Sequence, residues 1–404
     1  MRRSQRVPGL PNGRSALRVR VLKYLALAVA LLAMMAAGKA PQQSANVQSA
    51  NVNDFVEYWS AAHQMREGRD PYAKAPLLAW ERQVDPARSE ALVMRNAPWT
   101  LLVIAPFAWL PFAVGQQIWL GLGLATIAVS ARWLWTLYQI QGEAPWIASL
   151  STGLFLPIAV ALVLGQISPL VLFGIVGFLR FENEEKYVWA GAFLFLAALK
   201  PHLVFLFWVA LLLWSVRRRN FRVLGTLAAV TVAASVAVTL FDHRIFNEYW
   251  NFLRSGAFTE LTPTPGGLLR SSLHSGYALQ SLPAVLAAGW FFWHWRRSGA
   301  AWEWRREMPL LSAISLLTVP YAFFFDQVIL LPCVFQGAAW AGASRRLAWG
   351  GVALLYLATN TAVLALILFH RTAFWYVWTA PAWFLLYLIA RAIGGGAGSH
   401  REPA

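Results

Sequence analysis

The chain has 404 residues, of which 58% are hydrophobic and 13% are charged, whereas soluble domains carry about 25% charged residues. Its formal net charge is +16, but the basic residues fall in short islands between long apolar runs and form no basic stripe on a soluble fold. This pattern predicts an all-α, polytopic integral membrane protein and argues against nucleic-acid binding. The only cysteine, Cys333, lies in an apolar run, which excludes an internal disulfide and a cysteine-ligated metal.

The amino-terminal residues combine a basic arm, residues 1–20, with an apolar stretch from Tyr24 to Gly38. One interpretation is a signal peptide cleaved at Gly38-Lys39-Ala40. We favour the alternative, an uncleaved first membrane helix with the amino terminus in the cytoplasm. This helix delivers residues 40–96, which have mixed charge and no basic excess, to the outer side of the membrane.

Clusters of arginine set the predicted orientation of the remaining helices. Arg217-Arg218-Arg219, Arg296-Arg297 and Arg345-Arg346 are placed in the cytoplasm, because short cytoplasmic loops are enriched in Lys and Arg. A second external loop then spans residues 242–275, and residues 21–393 form one membrane domain. Residues 394–404 are predicted to be a disordered cytoplasmic tail.

The stretch from Ala97 to Val216 starts outside and ends inside, so it requires an odd number of crossings, yet it contains six apolar pieces. Either two pieces form one broken helix, or one piece enters the membrane and returns on the same side. We predict that Tyr187–Val216 is one crossing interrupted at Pro201, where neighbouring helices satisfy the freed backbone groups. The chain then has about 12 transmembrane helices, plus or minus one.

The first external loop begins with an acidic and aromatic segment. In a helix starting near Asn53, the side chains of Phe55, Tyr58 and Ala62 share one face, and this spacing predicts an amphipathic helix on the membrane surface. Asp54 falls in the first turn, where the helix dipole stabilises a carboxylate. It is a candidate catalytic residue; alternatively, Asn53 or Asp54 only caps the helix and the aromatic residues anchor it.

Two charged residues interrupt or end apolar runs, where a charge is expensive and suggests function. Lys200 precedes Pro201, and Asp326 follows three phenylalanines. The structural alternatives are that Lys200 extends to a lipid headgroup and that Asp326 is hydrated at the outer interface. In the second external loop, Gly266-Gly267 and Arg270 suit either a loop that wraps an anionic headgroup or a plain turn before an amphipathic helix.

Six short motifs, in chain order, resemble glycosyltransferase family 87, whose members are membrane mannosyltransferases that use polyprenyl-phosphate mannose and have the GT-C fold. The motifs are Asp54-Phe55-x-x-Tyr58 with Gly68-x-Asp70-Pro71-Tyr72, Asn96-Ala97-Pro98-Trp99, Pro106 with Leu110-Pro111-Phe112, Gly165-Gln166, Ala197-Ala198-Leu199-Lys200-Pro201-His202, and Pro320 followed by Asp326. The resemblance covers residues 50–335. Two features depart from the family: Gln327 stands where members often carry histidine, and the second external loop matches only through Gly267 and Arg270.

The resemblance implies an enzyme that moves a sugar, mannose in the family, from a polyprenyl-phosphate donor to a glycan or glycolipid acceptor on the outer face of the cell membrane, with inversion. It implies that Asp54 is the general base, with Asp326 as a second candidate catalytic carboxylate, and that no cofactor or metal takes part. The candidate substrate-binding residues are Tyr58, Gln166, Lys200, His202, Arg270 and Gln327. Among them, Lys200 and Arg270 are the cations available to the phosphate of the leaving lipid.

Two other functions stay open on the sequence alone. A flippase or transporter of lipid-linked sugars needs a polar pathway through the membrane and no carboxylate beside an acceptor. A polymerase or ligase of lipid-linked glycans shares the topology but usually depends on Arg and His in a large late loop, whereas the second external loop here is modest. The acidic and aromatic segment after the first helix favours the transferase.

Overall fold

The computed structural model describes residues 54–138, 145–256, 259–343 and 348–394. The basic arm, the first apolar segment with its two interpretations, Arg345-Arg346 and the chain beyond Gly394 lie outside these residues. Within the described ranges the protein forms α-helices and short 3-10 helices and no strand, as predicted for an all-α protein.

Seventeen α-helices are present in the described part of the chain. In order they are α1 (Phe55–Arg66), α2 (Lys74–Glu81), α3 (Thr100–Ile104), α4 (Phe112–Leu137), α5 (Pro145–Gly153), α6 (Leu156–Val163), α7 (Ser168–Asn183), α8 (Tyr187–Ala197), α9 (Phe205–Arg218), α10 (Arg222–Thr239), α11 (Ile245–Arg254), α12 (Pro265–Ser272), α13 (Tyr277–Ser298), α14 (Trp304–Thr318), α15 (Leu331–Ala343), α16 (Ala348–Leu368) and α17 (Thr379–Gly394). The 3-10 helices are Ala105–Trp109, Pro201–Val204, Gly299–Ala301, Phe324–Leu330 and Ala373–Tyr376.

Several helices begin where the sequence places a proline in the first turn. Pro157 lies at the start of α6, Pro169 at the start of α7 and Pro265 at the start of α12. Proline suits this position because its fixed φ matches a helix and its missing N–H would have no partner there.

Six helices in the described residues are long and apolar enough to cross a membrane. They are Phe112–Leu137, Pro201–Arg218, Arg222–Thr239, Phe324–Ala341, Trp349–Leu368 and Ala373–Gly394. Because a helix needs about 20 apolar residues to cross the hydrocarbon core, this finding supports a polytopic membrane protein. The total of 12 crossings and the GT-C fold stay predictions.

The prediction that Tyr187–Val216 forms one broken crossing is wrong. In the structure α8 and α9 are separate helices, and the ring of Tyr187 lies 6.1 Å from the ring of Trp214. In a single crossing these residues would be roughly 40 Å apart, because a helix rises about 1.5 Å per residue. The chain therefore reverses direction at Lys200-Pro201, and α8 and α9 run in opposite directions.

The odd number of crossings that the predicted topology requires between Ala97 and Val216 stays a prediction. Residues 100–109 form α3 and a 3-10 helix of five residues each. Together they are too short for the ~20 residues of a membrane crossing. The other five apolar pieces form α4, α5 with α6, α7, α8 and α9. Of these, α4 and the segment Pro201–Arg218, which contains α9, are long and apolar enough to cross a membrane.

The prediction of an amphipathic helix on the membrane surface is also wrong. Within α1, every residue from 55 to 65 except Glu57 is buried in the protein. Phe55 is fully buried, and Trp59 Nε1 donates a hydrogen bond of 2.9 Å to the backbone oxygen of Leu110. The aromatic side chains fill the protein core, so α1 is an internal element that holds the backbone next to it.

Two poles of the molecule are defined by the ends of its helices. Ser168 at the start of α7, Lys200 before α9 and Asp326 after α14 contact one another. At the other ends of these helices, Glu182 of α7 and Arg218 of α9 are close enough for their charges to interact. Each of these helices is roughly 20 Å long, so a charged cluster lies at one pole and an arginine-rich loop at the other.

Candidate active site

Asp54 immediately precedes α1 but does not cap it. Its side chain makes no hydrogen bond to the first turn of the helix; Oδ2 instead accepts a hydrogen bond of 2.6 Å from Gln166 Nε2. The backbone N–H of Asp54 donates to the carbonyl oxygen of Leu164 at 2.6 Å. The alternative in which Asp54 only caps the helix is therefore contradicted, because the carboxylate faces Gln166 and not its own helix.

Gln166 lies in a tight turn between α6 and α7. Gly165 has a φ of +67°, which glycine adopts without strain, and its carbonyl oxygen accepts from Trp119 Nε1 at 2.7 Å. This turn directs the Gln166 amide to two charged groups: Nε2 donates to Asp54, and Oε1 accepts from Lys200 Nζ at 2.9 Å. An amide donates at one end and accepts at the other, so Gln166 bridges a carboxylate and an ammonium group.

Lys200 occupies the reversal between α8 and α9. Its Nζ donates to Gln166 Oε1 at 2.9 Å, to Asp326 Oδ1 at 2.8 Å and to Ser168 Oγ at 3.2 Å, so each ammonium hydrogen has an acceptor. The side chain is 12% exposed. It points into the protein, which contradicts the alternative in which Lys200 extends to a lipid headgroup.

The segment from Asn96 to Trp99 holds the backbone of this reversal. Where α8 ends, the carbonyl oxygens of its last turn have no helical partner. Trp99 Nε1 donates to the carbonyl oxygen of Ala198 at 3.0 Å, and Asn96 Nδ2 donates to that of Leu199 at 2.8 Å. The motif at residues 96–99 thus satisfies the backbone immediately before Lys200 and fixes the position of its ammonium group.

Asp326 is 1% exposed and accepts three hydrogen bonds. Oδ1 accepts from Lys200 Nζ at 2.8 Å and from Ser168 Oγ at 2.7 Å, while Oδ2 accepts from the backbone N–H of Phe323 at 3.0 Å. The alternative of a hydrated residue at the outer interface is contradicted. Because both of its oxygens have donors, Asp326 is better placed to hold Lys200 than to take a proton from a substrate.

The polar network therefore consists of Asp54, Gln166, Lys200, Asp326 and Ser168, and Asp54 stands at its open end. Asp54 is only partly buried, and Oδ1 accepts no hydrogen bond from the part of the chain that the structure describes. Burial raises the pKa of Asp54, while the hydrogen bond from Gln166 and the positive charge of Lys200 oppose the shift. A raised pKa makes this carboxylate a stronger base.

His202 and Tyr58 lie next to the network without joining it. The His202 ring is 5.8 Å from the ring of Tyr321, and its buried Nε2 has no hydrogen-bond partner among the described residues. Tyr58 is fully buried, and its ring packs 5.6 Å from that of Trp119. His202 is close enough to Asp326 and Lys200 for their charges to interact, whereas Tyr58 presents no accessible surface.

Gln327 and Arg270 are bound elsewhere. Gln327 Nε2 donates to Thr379 Oγ1 at 2.6 Å. Arg270 Nη1 donates to the carbonyl oxygen of Thr259 at 2.7 Å and to Gln280 Oε1 at 3.0 Å. The structure thus brings together Asp54, Gln166, Lys200 and Asp326 of the predicted site residues, and does not bring Gln327 or Arg270 to them.

Gly266 and Gly267 serve close packing and do not wrap a ligand. A Cβ on Gly266 would lie 2.0 Å from the carbonyl oxygen of Gln280, and one on Gly267 would lie 2.0 Å from that of Thr262. Their backbone is buried against other backbone and is not available to an anionic headgroup. The turn before a helix is the correct alternative, because Thr264 Oγ1 caps α12 by accepting from the N–H of Gly267 at 3.0 Å.

Sequence reasoning missed Ser168 and Glu57. Ser168 lies two residues after Gln166 and directly before Pro169, so its place at a helix start beside a predicted site residue was the available signal. Glu57 lies one helical turn after Asp54 and is the accessible position in an otherwise buried stretch of α1. Its spacing from Asp54 was visible in the sequence, but its exposure depends on packing.

Residues 96–320, more than half of the chain, match the model of glycosyltransferase family 87. The chain belongs to glycosyltransferase family 87. Gln166 and Lys200 lie inside the matched segment of this family 87 protein, whereas Asp54 and Asp326 lie outside it. The hydrogen bonds from Gln166 to Asp54 and from Lys200 to Asp326 connect both carboxylates to the matched segment. No curated protein and no solved structure matches the chain significantly.

Membership of family 87 makes this protein a glycosyltransferase, as the sequence motifs predicted. A family 87 enzyme acts on a sugar donor and an acceptor in a membrane setting. The six apolar helices of membrane-spanning length agree with that setting.

Proposed function

We propose that this enzyme transfers a sugar, mannose, from a polyprenyl-phosphate donor to a hydroxyl group of a glycan or glycolipid acceptor at the outer face of the cell membrane. In this proposal the protein has the GT-C fold and transfer inverts the anomeric centre. The observation that carries the proposal is the chain of hydrogen bonds from Asp54 through Gln166 and Lys200 to Asp326. This chain of hydrogen bonds joins an accessible carboxylate to an ammonium group. Sugar transfer from a lipid phosphate uses a carboxylate as the general base and a cation to bind the leaving phosphate.

Asp54 is the proposed general base. Its carboxylate is accessible and oriented by Gln166, and its raised pKa favours uptake of a proton. As the acceptor oxygen attacks the anomeric carbon, its proton passes to Asp54. The bond from that carbon to the phosphate oxygen breaks at the same time, and polyprenyl phosphate leaves. A single displacement of this kind converts a β-linked donor into an α-linked product.

Lys200 is the proposed cation for the leaving phosphate. Asp326 holds its ammonium group in place, and the hydrogen bond to Gln166 or Ser168 is exchanged for one to the phosphate. His202 is a proposed neighbouring ligand, because its Nε2 is buried without a partner among the described residues.

The contacts of Arg270, Tyr58 and Gln327 support a substrate-binding role less well. Arg270 has to leave Thr259 and Gln280 before it reaches a phosphate. Tyr58 and Gln327 are buried. We therefore place the phosphate at Lys200 and His202.

An apolar cavity of about 380 Å³ supports a lipid-linked donor. It lies among α5, α14, α15, α16 and α17, and Leu330 is part of its wall. Leu330 belongs to the same 3-10 helix as Asp326. A polyprenyl chain is a flexible hydrocarbon, and this cavity offers it an apolar site within one helix of the charged network.

The distribution of arginines supports an active site on the outer side. Arg218 lies at the pole opposite the network, and Arg305 lies at the end of α4, where its Nη1 donates to the carbonyl oxygen of Leu137 at 3.2 Å. Arginine clusters in short loops are typical of the cytoplasmic side. The network at the other pole then faces outward.

Transfer by the purified protein in lipid nanodiscs tests this function. The protein is incubated with a panel of polyprenyl-phosphate sugars and with octyl mannoside as acceptor, without added metal. We expect a glycosylated product from the mannose donor, and an α linkage by NMR when the donor is β-linked. If the protein transfers sugar from a nucleotide sugar but from none of the polyprenyl-phosphate sugars, the proposed donor is contradicted. If the lipid-linked sugar crosses the membrane without formation of a covalent product, the result supports a flippase.

A further inference from the structure

Glu57 is partly exposed and lies one helical turn from Asp54. From residue 55 to residue 65 of α1, Glu57 is the one position that is not buried, and Asp54 is accessible as well. Residues three apart on a helix lie on one face, with Cβ atoms about 5–6 Å apart. A molecule that reaches the carboxylate of Asp54 therefore also reaches that of Glu57.

The charged groups around Glu57 come from several parts of the chain. Asp54 and Tyr58 lie on its own segment, Lys200 lies at the reversal before α9, and Arg95 ends the first external loop. Arg95 Nη1 donates to Tyr321 Oη at 2.6 Å and to Glu260 Oε2 at 2.8 Å. Burial is the main cause that raises the pKa of Tyr321, and the negative charge of Glu57 adds to it, so these two side chains are close enough to interact. Donors and acceptors thus surround the space beside Asp54.

We propose that Glu57 binds the acceptor: its carboxyl group hydrogen-bonds one hydroxyl of a polyhydroxylated acceptor while a neighbouring hydroxyl lies against Asp54. This inference rests on the proposed function and adds to it the residue that recognises the acceptor. Sugars and polyols carry adjacent hydroxyl groups, and two carboxyl groups one helical turn apart match such a pair. Lys200 lies on the far side of Gln166 from Asp54, so donor phosphate and acceptor occupy different ends of the network.

The protonation state of Glu57 suits this role. Glu57 is partly buried, and desolvation by the surrounding protein is the main cause that raises its pKa to about 8. The charge of Asp54 raises the pKa further, whereas the charges of Lys200 and Arg95 oppose the shift. Glu57 is then largely neutral at pH 7, so it donates as well as accepts a hydrogen bond. A neutral Glu57 also avoids placing a second negative charge beside the base.

Three variants test the inference. Glu57→Gln keeps the size and the donor and acceptor of a protonated carboxyl group, whereas Glu57→Ala removes them. Glu67→Gln is the matched control, because Glu67 lies just beyond α1 and pairs with Arg69 at 3.1 Å. We expect Glu57→Ala to raise the acceptor KM about 10-fold with little change in donor KM, since one hydrogen bond is lost. Glu67→Gln should remain within a few-fold of the unsubstituted protein at pH 7. Glu57→Gln should bind the acceptor more tightly than Glu57→Ala, because its amide still donates and accepts a hydrogen bond.

The pH profile gives a readout that a purely structural role would not change. In the unsubstituted protein, acceptor kcat/KM should fall as the pH rises through about 8, because Glu57 ionises and loses its donor hydrogen. Gln does not titrate, so Glu57→Gln should remove this alkaline limb. An alkaline limb that persists in Glu57→Gln, or equal changes of donor and acceptor KM in Glu57→Ala, overturns the inference.

Binding without turnover separates this inference from the proposed function. Octyl mannoside, kept below its critical micelle concentration, is titrated into each variant in lipid nanodiscs, and binding is followed by calorimetry with empty nanodiscs as the blank. We expect about 10-fold weaker binding by Glu57→Ala than by the unsubstituted protein and Glu67→Gln. Equal binding by all variants, or none by the unsubstituted protein, contradicts the role of Glu57. A protein that shows the expected binding but uses no polyprenyl-phosphate donor contradicts the proposed function alone.

Discussion

Asp54→Asn is the substitution that separates catalysis from structure in the polar network. Asn has the size of Asp, and its side-chain oxygen can still accept the 2.6 Å hydrogen bond from Gln166 Nε2. No capping interaction is lost, because the Asp54 side chain makes none. The substitution therefore removes little apart from the ability to take up a proton.

The expected cost of Asp54→Asn lies in rate and not in stability. Loss of a general base lowers the rate by roughly 10²–10⁴, which is roughly 3–5 kcal/mol in the barrier. Burial raises the pKa of Asp54 in the folded protein above its unfolded value, so its favourable contribution to folding is present at low pH and is lost as the pH rises through the folded pKa. Above that pH the partly buried carboxylate of Asp54 is charged and destabilises the fold, whereas Asn is uncharged. Asp54→Asn should therefore unfold thermally at a temperature equal to or higher than that of the unsubstituted protein.

Single-turnover transfer of labelled sugar in lipid nanodiscs measures this effect. Asp70→Asn is the matched control: Asp70 lies in the same loop, its Oδ1 accepts from the N–H of Tyr72 at 2.8 Å, and Asn can do the same. We expect the control to transfer within a few-fold of the unsubstituted protein. If Asp54→Asn is equally active, Asp54 is not the base, and Asp326 becomes the carboxylate to examine.

Two further predictions concern the cation and the topology. Lys200→Met should lower the rate of transfer about 30- to 1,000-fold, while Lys200→Arg keeps part of the activity. Lys200→Met also leaves Asp326 buried without its partner at 2.8 Å, which should lower the free energy of unfolding by roughly 3–5 kcal/mol. Adding Asp326→Asn to Lys200→Met should restore stability but not transfer, and a Lys200→Met protein with normal turnover contradicts the role. For topology, a cysteine replacing the exposed Ser255 should react with an impermeant thiol reagent from outside the cell, and one replacing the exposed Arg218 should not. Labelling of Arg218→Cys in intact cells overturns the orientation.

The members of the polar network could largely be predicted from the sequence. A charge inside an apolar run needs a partner, and this argument selected Lys200 and Asp326, which the structure joins at 2.8 Å. Asp54 stood out by its place before an aromatic helix, and Gln166 by the family motif. The physical cost of isolated charge in an apolar setting makes such residues conspicuous.

The reversal at Pro201 could not be predicted in the same way. Proline indicates that a helix ends or kinks, but a kink and a reversal have the same local sequence. The choice depends on what satisfies the freed carbonyl groups, and here Asn96 and Trp99, about 100 residues earlier, supply the donors. Long-range contacts of this kind are not visible in hydropathy.

The burial of α1 could not be predicted from the sequence for a related reason. A face of Phe55, Tyr58 and Trp59 suits a membrane surface and a protein core equally well, because both bury apolar area. The structure packs this face inside, with Phe55 5.4 Å from the ring of Phe107. The burial of α1 is also what leaves Glu57 as the accessible residue beside Asp54.

In the proposed function, the arrangement of the network links donor binding to the strength of the base. Burial raises the pKa of Asp54, and the ammonium group of Lys200, whose charge is balanced by Asp326, opposes that shift. A donor phosphate at Lys200 brings negative charge to this end of the network, and negative charge nearby raises the pKa of a carboxylate. Asp54 is then a stronger base when donor is bound than when the site is empty, so the site is most reactive toward a hydroxyl group only after the sugar to be transferred has arrived.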